Sequence, residues 1–154
     1  MLHRILIGIF ASLLFACSSS KNTPSQIGLR DLDGYELRNP PAPKNNLECR
    51  VVSSQQAFEY LAQATSQATR QPQFTGQAVL VVISDPADKG NWPQFESANV
   101  AGSTMNVYFK MTATDHPAEK IPFALATVPR VGSVKRIQFY KEKKLVQIVD
   151  IRMN

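Results

Sequence analysis

Reactive side chains are scarce in this chain of 154 residues, which holds two cysteines, two histidines and one tryptophan. Two cysteines cannot build a disulfide framework, and two histidines leave little material for a histidine-rich metal site. No heptad repeat or collagen-like glycine period occurs, and there is only one long apolar stretch. A coiled coil, a collagen-like rod and a polytopic membrane protein are therefore excluded. The patterns G-x-S-x-G, H-E-x-x-H, the P-loop and G-x-G-x-x-G are all missing. With them go the nucleophile elbow, the zinc-protease helix, the phosphate cradle and the dinucleotide turn. What is present is a composition of 44% hydrophobic and 19% charged residues with a formal net charge of +5. Such a chain can bury one ordinary core and is one domain in length.

The first residues read as an address. His3 and Arg4 form a short polar, basic start, and Ile5 to Phe15 is an apolar run. At about eleven residues it suits the core of a signal peptide and is short for a membrane span. The run ends in Leu14-Phe15-Ala16-Cys17, followed by Ser18-Ser19-Ser20. This resembles the bacterial lipobox, with an aliphatic residue at −3, a small residue at −1 and then cysteine. Phe15 departs from the usual small residue at −2. The resemblance implies cleavage before Cys17, a diacylglyceryl group on its sulfur and a fatty acyl chain, such as palmitate, on its amine. Two or more chains give stable anchoring without a transmembrane helix, at roughly 0.8 kcal/mol per buried methylene. A plain secretory peptide or an uncleaved anchor would not explain a cysteine so placed. Ser18 lacks the aspartate that resembles an inner-membrane retention signal, and no acidic cluster follows Cys17. The expected location is the cell envelope, at the periplasmic face of the outer membrane.

Residues 1–16 are thus expected as a lipoprotein signal peptide and 17–46 as lipidated cysteine plus tether. Residues 47–154 are expected as a single domain. Four of the ten prolines, Pro24, Pro40, Pro41 and Pro43, lie in the tether, and they favour an extended, semi-rigid segment. Its middle carries Ile27, Leu29, Leu32, Tyr35 and Leu37, more apolar than a spacer requires. That suits a segment packed along the domain, with a short partner-binding motif as the sharper reading.

Ser53 and Gln56 form a capping-box pattern, which predicts a helix to about Thr65 with Phe58 and Leu61 as its anchors. Ala57, Ala64 and Ala68 extend the same narrow stripe. The β-branched run from Ala78 to Ile83 predicts a central strand buried on both faces. Lys89 to Pro93 reads as a loop, Phe95 to Val100 as a strand, and Ala101-Gly102-Ser103 as a tight connection. From Thr104 to Thr112, Met105, Val107, Phe109 and Met111 alternate with Asn106, Tyr108 and Lys110, as in a half-buried strand. Further strands are expected at Phe123 to Val128, Val134 to Tyr140 and Leu145 to Ile151, the last two as a hairpin with a lysine-rich tip. The expected fold class is α+β, with one N-terminal helix packed on a curved, mainly antiparallel sheet of about six strands.

Chemistry is thin. With His3 removed and Cys17 lipidated, His116 and Cys49 are the remaining imidazole and thiol. A Cys49–His116 nucleophilic pair is possible by arithmetic, but Thr114 to Pro117 reads as a solvated loop and Cys49 as a small buried hydrophobe. An intermolecular disulfide through Cys49 is a further option in an oxidising compartment. Asp31, Asp33 and Glu36 lie close together, but a calcium loop needs more oxygen ligands, so the default is a solvated stretch. Lys135, Arg136, Lys141, Lys143 and Lys144 gather on the C-terminal hairpin. A solvated hairpin is the default there, with anionic headgroups or an acidic protein patch as the other reading. Trp92, flanked by Asn91 and Pro93, is either a lid over the core or an interface anchor, and it is the candidate partner contact.

One stretch carries a second resemblance. Ile121-Pro122-Phe123-Ala124-Leu125-Ala126-Thr127-Val128-Pro129-Arg130, followed by Lys135-Arg136-Ile137-Gln138-Phe139-Tyr140, is similar to the C-terminal part of PrcB-type protease-complex accessory proteins. The upstream strands at Gly76 to Ile83 and Thr104 to Thr112 fit the same order. The family's Gly-Gly-Tyr-like turn is missing, and Lys89 to Pro93 stands in its place. The resemblance implies a non-catalytic accessory or stabilising protein. The expectation is a lipid-anchored binding or scaffolding module with an envelope protein partner. No catalytic residue, cofactor, metal or nucleic acid is expected. The competing expectation is a small secreted hydrolase or protease inhibitor using Cys49 and His116 or the Trp92 loop.

Overall fold

A computed structural model of the chain describes residues 23–43, 46–85, 90–115 and 120–151. Its hub is β6 (Gln77–Ser84), where Val79-Leu80-Val81-Val82-Ile83 is wholly buried, as the unbroken β-branched run predicts. β6 pairs antiparallel with β4 (Leu47–Val52) on one side and with β9 (Phe123–Pro129) on the other. With β2 (Arg30–Asp31) on the far edge of β9, these make a four-stranded sheet in the order β2-β9-β6-β4.

The second sheet is built on a long hairpin, β7 (Asn91–Ala101) and β8 (Thr104–Ala113). Gly102, at φ +61°, lets the chain reverse in two residues, because the first position of this turn needs a left-handed backbone. β10 (Arg136–Lys141) and β11 (Lys144–Asp150) form the expected C-terminal hairpin. Its turn residues Glu142 and Lys143 both lie at positive φ, the conformation of a primed turn made without glycine. β1 (Ser25–Ile27) joins the other edge, giving the order β1-β7-β8-β10-β11.

Alternation decides how the sheets meet. Leu80 and Val82 of β6 face Val107, Phe109, Ile137 and Phe139 of the larger sheet, in one core between the two layers. Val79, Val81 and Ile83 point the other way, into a second core. That core is covered by helix α1 (Gln55–Leu61) and by a ribbon of β3 (Tyr35–Leu37) with β5 (Ala62–Ala64). Phe58 lies between the rings of Tyr35 and Phe74, with centroids 5.2 and 5.8 Å away. Gly34 makes this cover possible. It sits at φ +77°, and a Cβ there would come within 2.3–2.5 Å of the Gln67 and Ala68 backbone.

The expected α+β fold, with one N-terminal helix packed on a curved sheet of about six strands, is overturned. Strands hold 55% of the described residues and helix 7%, distributed over several sheets. The helix is short because Ala62 turns extended (φ −138°, ψ 156°) and its backbone joins β5 to β3 instead of adding another helical turn. Ser54, not Ser53, caps the helix, accepting a hydrogen bond from the Ala57 amide at 3.3 Å. Phe58 and Leu61 are its buried anchors, as expected. Among the described residues, pairing is antiparallel except at one place, where β10 runs parallel to β8. The chain leaves β8, forms β9 in the opposite sheet and returns, and that crossover sets the direction. Residues 25–37 of the expected tether add one strand to each of the three sheets.

At one side of the sandwich the edges of β4 and β11 lie together. The Gln147 side chain joins them, accepting from the Cys49 amide at 2.9 Å and donating to its carbonyl at 2.7 Å. A side-chain amide thus stands in for a strand residue and satisfies both polar groups of a buried position.

Candidate functional site

The opposite side of the sandwich is only half closed. β1 covers β7 from Ala98 to Val100, and β2 covers β9 at Ala126 and Thr127. Leu32 continues that contact, donating its amide to the Leu125 carbonyl at 2.9 Å. Beyond these points the N-terminal arm swings away to form β3. An open groove of about 750 Å³ is left between the start of β7, the start of β9 and the arm.

Trp92 and Phe123 form one wall. Their ring centroids are 5.7 Å apart at 47°. Trp92 is half-buried, and it lies in β7 opposite Thr112 rather than in the loop expected at 89–93. The strand starts early because Gly90, at φ +84°, turns the chain and its carbonyl accepts from the Thr114 amide at 2.8 Å. The arm supplies the facing wall, with Asp31, Asp33 and Glu36. Burial, and after it the neighbouring charge of Asp33, holds the Asp31 carboxyl above the usual range. Glu36 meets Lys120 at 3.7 Å, with both side chains more than half exposed. No ion pair engages Asp31 or Asp33 among the described residues. The hydroxyl oxygen of Thr114, which also lines the groove, is buried without a hydrogen-bond partner among the described residues.

Other candidate residues are not gathered here. Cys49 is in the core between the sheets, 1% exposed. Burial, with a smaller push from Glu48, raises its thiol to about 12, which suppresses the nucleophilic thiolate. His116, the other half of the conceivable pair, lies outside the described residues, as does Cys17. No cluster of three histidine, cysteine or acidic side chains able to hold a metal occurs among the described residues, and no helix there is long and apolar enough to cross a membrane. The basic hairpin cluster is divided. Lys135 and Arg136 sit at the start of β10, where Arg136 meets Asp150 at 3.8 Å. Lys141, Lys143 and Lys144 sit at its far end, roughly 17 Å away at the rise of a strand.

The partnership of the three arm carboxylates with Trp92 is not visible in the sequence. It depends on Arg30 and Asp31 pairing with Thr127 and Ala126, nearly a hundred positions away, and no local pattern encodes that register.

The class defined by these features is a two-sheet β-sandwich with a second, helix-and-ribbon cover and a groove open along one side. Compared with protein-family models, curated proteins and solved structures, the chain matches none.

Proposed function

We propose that this chain is a lipid-anchored, non-catalytic protein of the cell envelope that binds a partner protein through the Trp92 groove. It would serve as an accessory or scaffolding module, and the resemblance to PrcB-type proteins suggests a protease complex as the assembly served. The observation that carries this reading is the position of the groove relative to the arm. The arm joins the domain at Ser25, opposite Val100. Trp92 lies eight positions earlier on β7, roughly 25 Å along the strand. From Cys17 to Ser25 the chain is eight residues long, which spans at most about 28 Å. A lipid on Cys17 would hold the domain near the membrane by the end remote from the groove and leave the groove accessible to other envelope proteins.

The test is photocrosslinking in intact cells, with benzoylphenylalanine in place of Trp92, alongside labelling with an alkyne palmitate. The expected result is palmitate label that Cys17→Ala abolishes, together with one discrete crosslinked species. Soluble, unlabelled wild-type protein would end the anchored reading. Absence of any crosslinked species at Trp92 would end the binding reading.

A further inference from the structure

The groove's chemistry narrows the partner, if the binding role above holds. Its polar wall is acidic although the chain as a whole is basic: among the described lining residues, three carboxylates accompany one lysine. Asp31 and Asp33 are close enough to raise the Asp31 carboxyl by repulsion, and the described residues offer neither of them a counter-charge. The one cation among the described lining residues, Lys120, sits 3.7 Å from Glu36 in a solvent-exposed pair, an interaction weak enough for an incoming cation to replace.

Strand addition is a poor way to fill this groove. Pro93 offers no backbone donor, and the β7 ladder shifts register between Phe95 and Ser97. Both are devices that stop a free edge from recruiting another strand. Recognition therefore falls to side chains, which here are carboxylates on one wall and Trp92 and Phe123 on the other. Aromatic faces and carboxylates both attract lysine and arginine, and an aromatic wall also packs against apolar stems.

We propose that the groove seats an extended basic segment of a partner protein. Its lysine or arginine side chains meet Asp31, Asp33 and Glu36, while apolar side chains between them pack on Trp92 and Phe123. The groove continues the line of the slot that β1 and β2 fill, which suits an extended segment, but here side chains rather than backbone pairing would hold it.

Trp92 is the only tryptophan, so its emission reports on the groove directly. The purified chain without its signal peptide is titrated with two labelled octapeptides, one of alternating lysine and leucine and one of alternating glutamate and leucine. The expected result is that only the lysine peptide shifts Trp92 emission and raises anisotropy. Asp31→Asn with Asp33→Asn should weaken it about tenfold, while Lys143→Ala leaves it unchanged. Melting curves confirm that each variant is folded. Equal binding of both peptides, no binding, or full binding by the folded double variant would each overturn the proposal. If the cell crosslink at Trp92 persists while the lysine peptide fails, the partner is not basic but the binding role stands. If neither appears, both fall.

Discussion

The two cores of this protein share the strands β4, β6 and β9, which send alternate side chains into each, and differ in what covers those strands. The core between the sheets is assembled from long strands, with Val107 and Phe109 on β8 and Ile137 and Phe139 on β10. The core on the other face of β6 is assembled from fragments: Leu32 and Tyr35 from the arm, Phe58 and Leu61 from a seven-residue helix, and Phe74 from a loop. In the first, each strand repeats the same inward face every second residue, so many contacts follow from one register. In the second, each piece contributes one or two side chains, and its place depends on single joints such as Gly34. The first core should therefore set global stability, while the cover can open by itself.

Phe139→Ala would break the comparison most severely if it proved mild. Its side chain is fully buried between the sheets, and its removal should cost about 3–5 kcal/mol in urea unfolding. Gly34→Ala is the counterpart for the cover. The new Cβ meets the backbone of Gln67 and Ala68 in a conformation that alanine resists, costing about 2–4 kcal/mol. Hydrogen exchange should then quicken at β3 and β5 and leave β8 and β10 protected. Uniform loosening of both would show that the two cores open as one.

A smaller effect tests the Gln147 joint. Gln147→Ala leaves the Cys49 amide and carbonyl without their partner, for a loss of about 1–3 kcal/mol. The native Cys49 thiol, raised to about 12, should react with iodoacetamide at pH 8 more slowly than the unfolded thiol, by on the order of a hundredfold or more. The variant should react faster than wild type. Rapid native labelling would place Cys49 outside the core and revive a nucleophilic role. The smallest effect is expected at Asp31. Its raised carboxyl binds a proton more tightly in the folded state, so its contribution to stability is complete below the ordinary carboxylate range and is lost as pH rises through the raised value. Asp31→Asn should melt slightly higher than wild type at pH 7 and match it at pH 3. A lower melting point at pH 7 would mean that the carboxylate is stabilised by contacts beyond those seen.

Legibility followed the same division as the cores. The alternation from Met105 to Met111 and the unbroken run at Val79 to Ile83 announce which side chains go inward, because a strand's period is local. Phe58 and Leu61 were readable as helix anchors, but the helix's early end was not, since Ala62 to Ala64 leave the helical pattern only to meet Tyr35 to Leu37. Trp92 stood out as the lone tryptophan beside a glycine and a proline, yet its strand setting depends on Thr112 across the hairpin. The acids at Asp31, Asp33 and Glu36 were visible as neighbours in sequence, but not as the wall of a groove.

By itself, then, the sequence determined what short-range periodicity and turn chemistry can encode. That covers the central strand, the inward face of β8, the Gly102 reversal and the charged hairpin tip. Only the tertiary structure decided that β8 and β10 run parallel, that the arm threads all three sheets, and that Asp31 and Trp92 face one groove. Those arrangements rest on pairings between distant segments. Their register is selected by the burial of whole faces, so no stretch of a few residues carries the information.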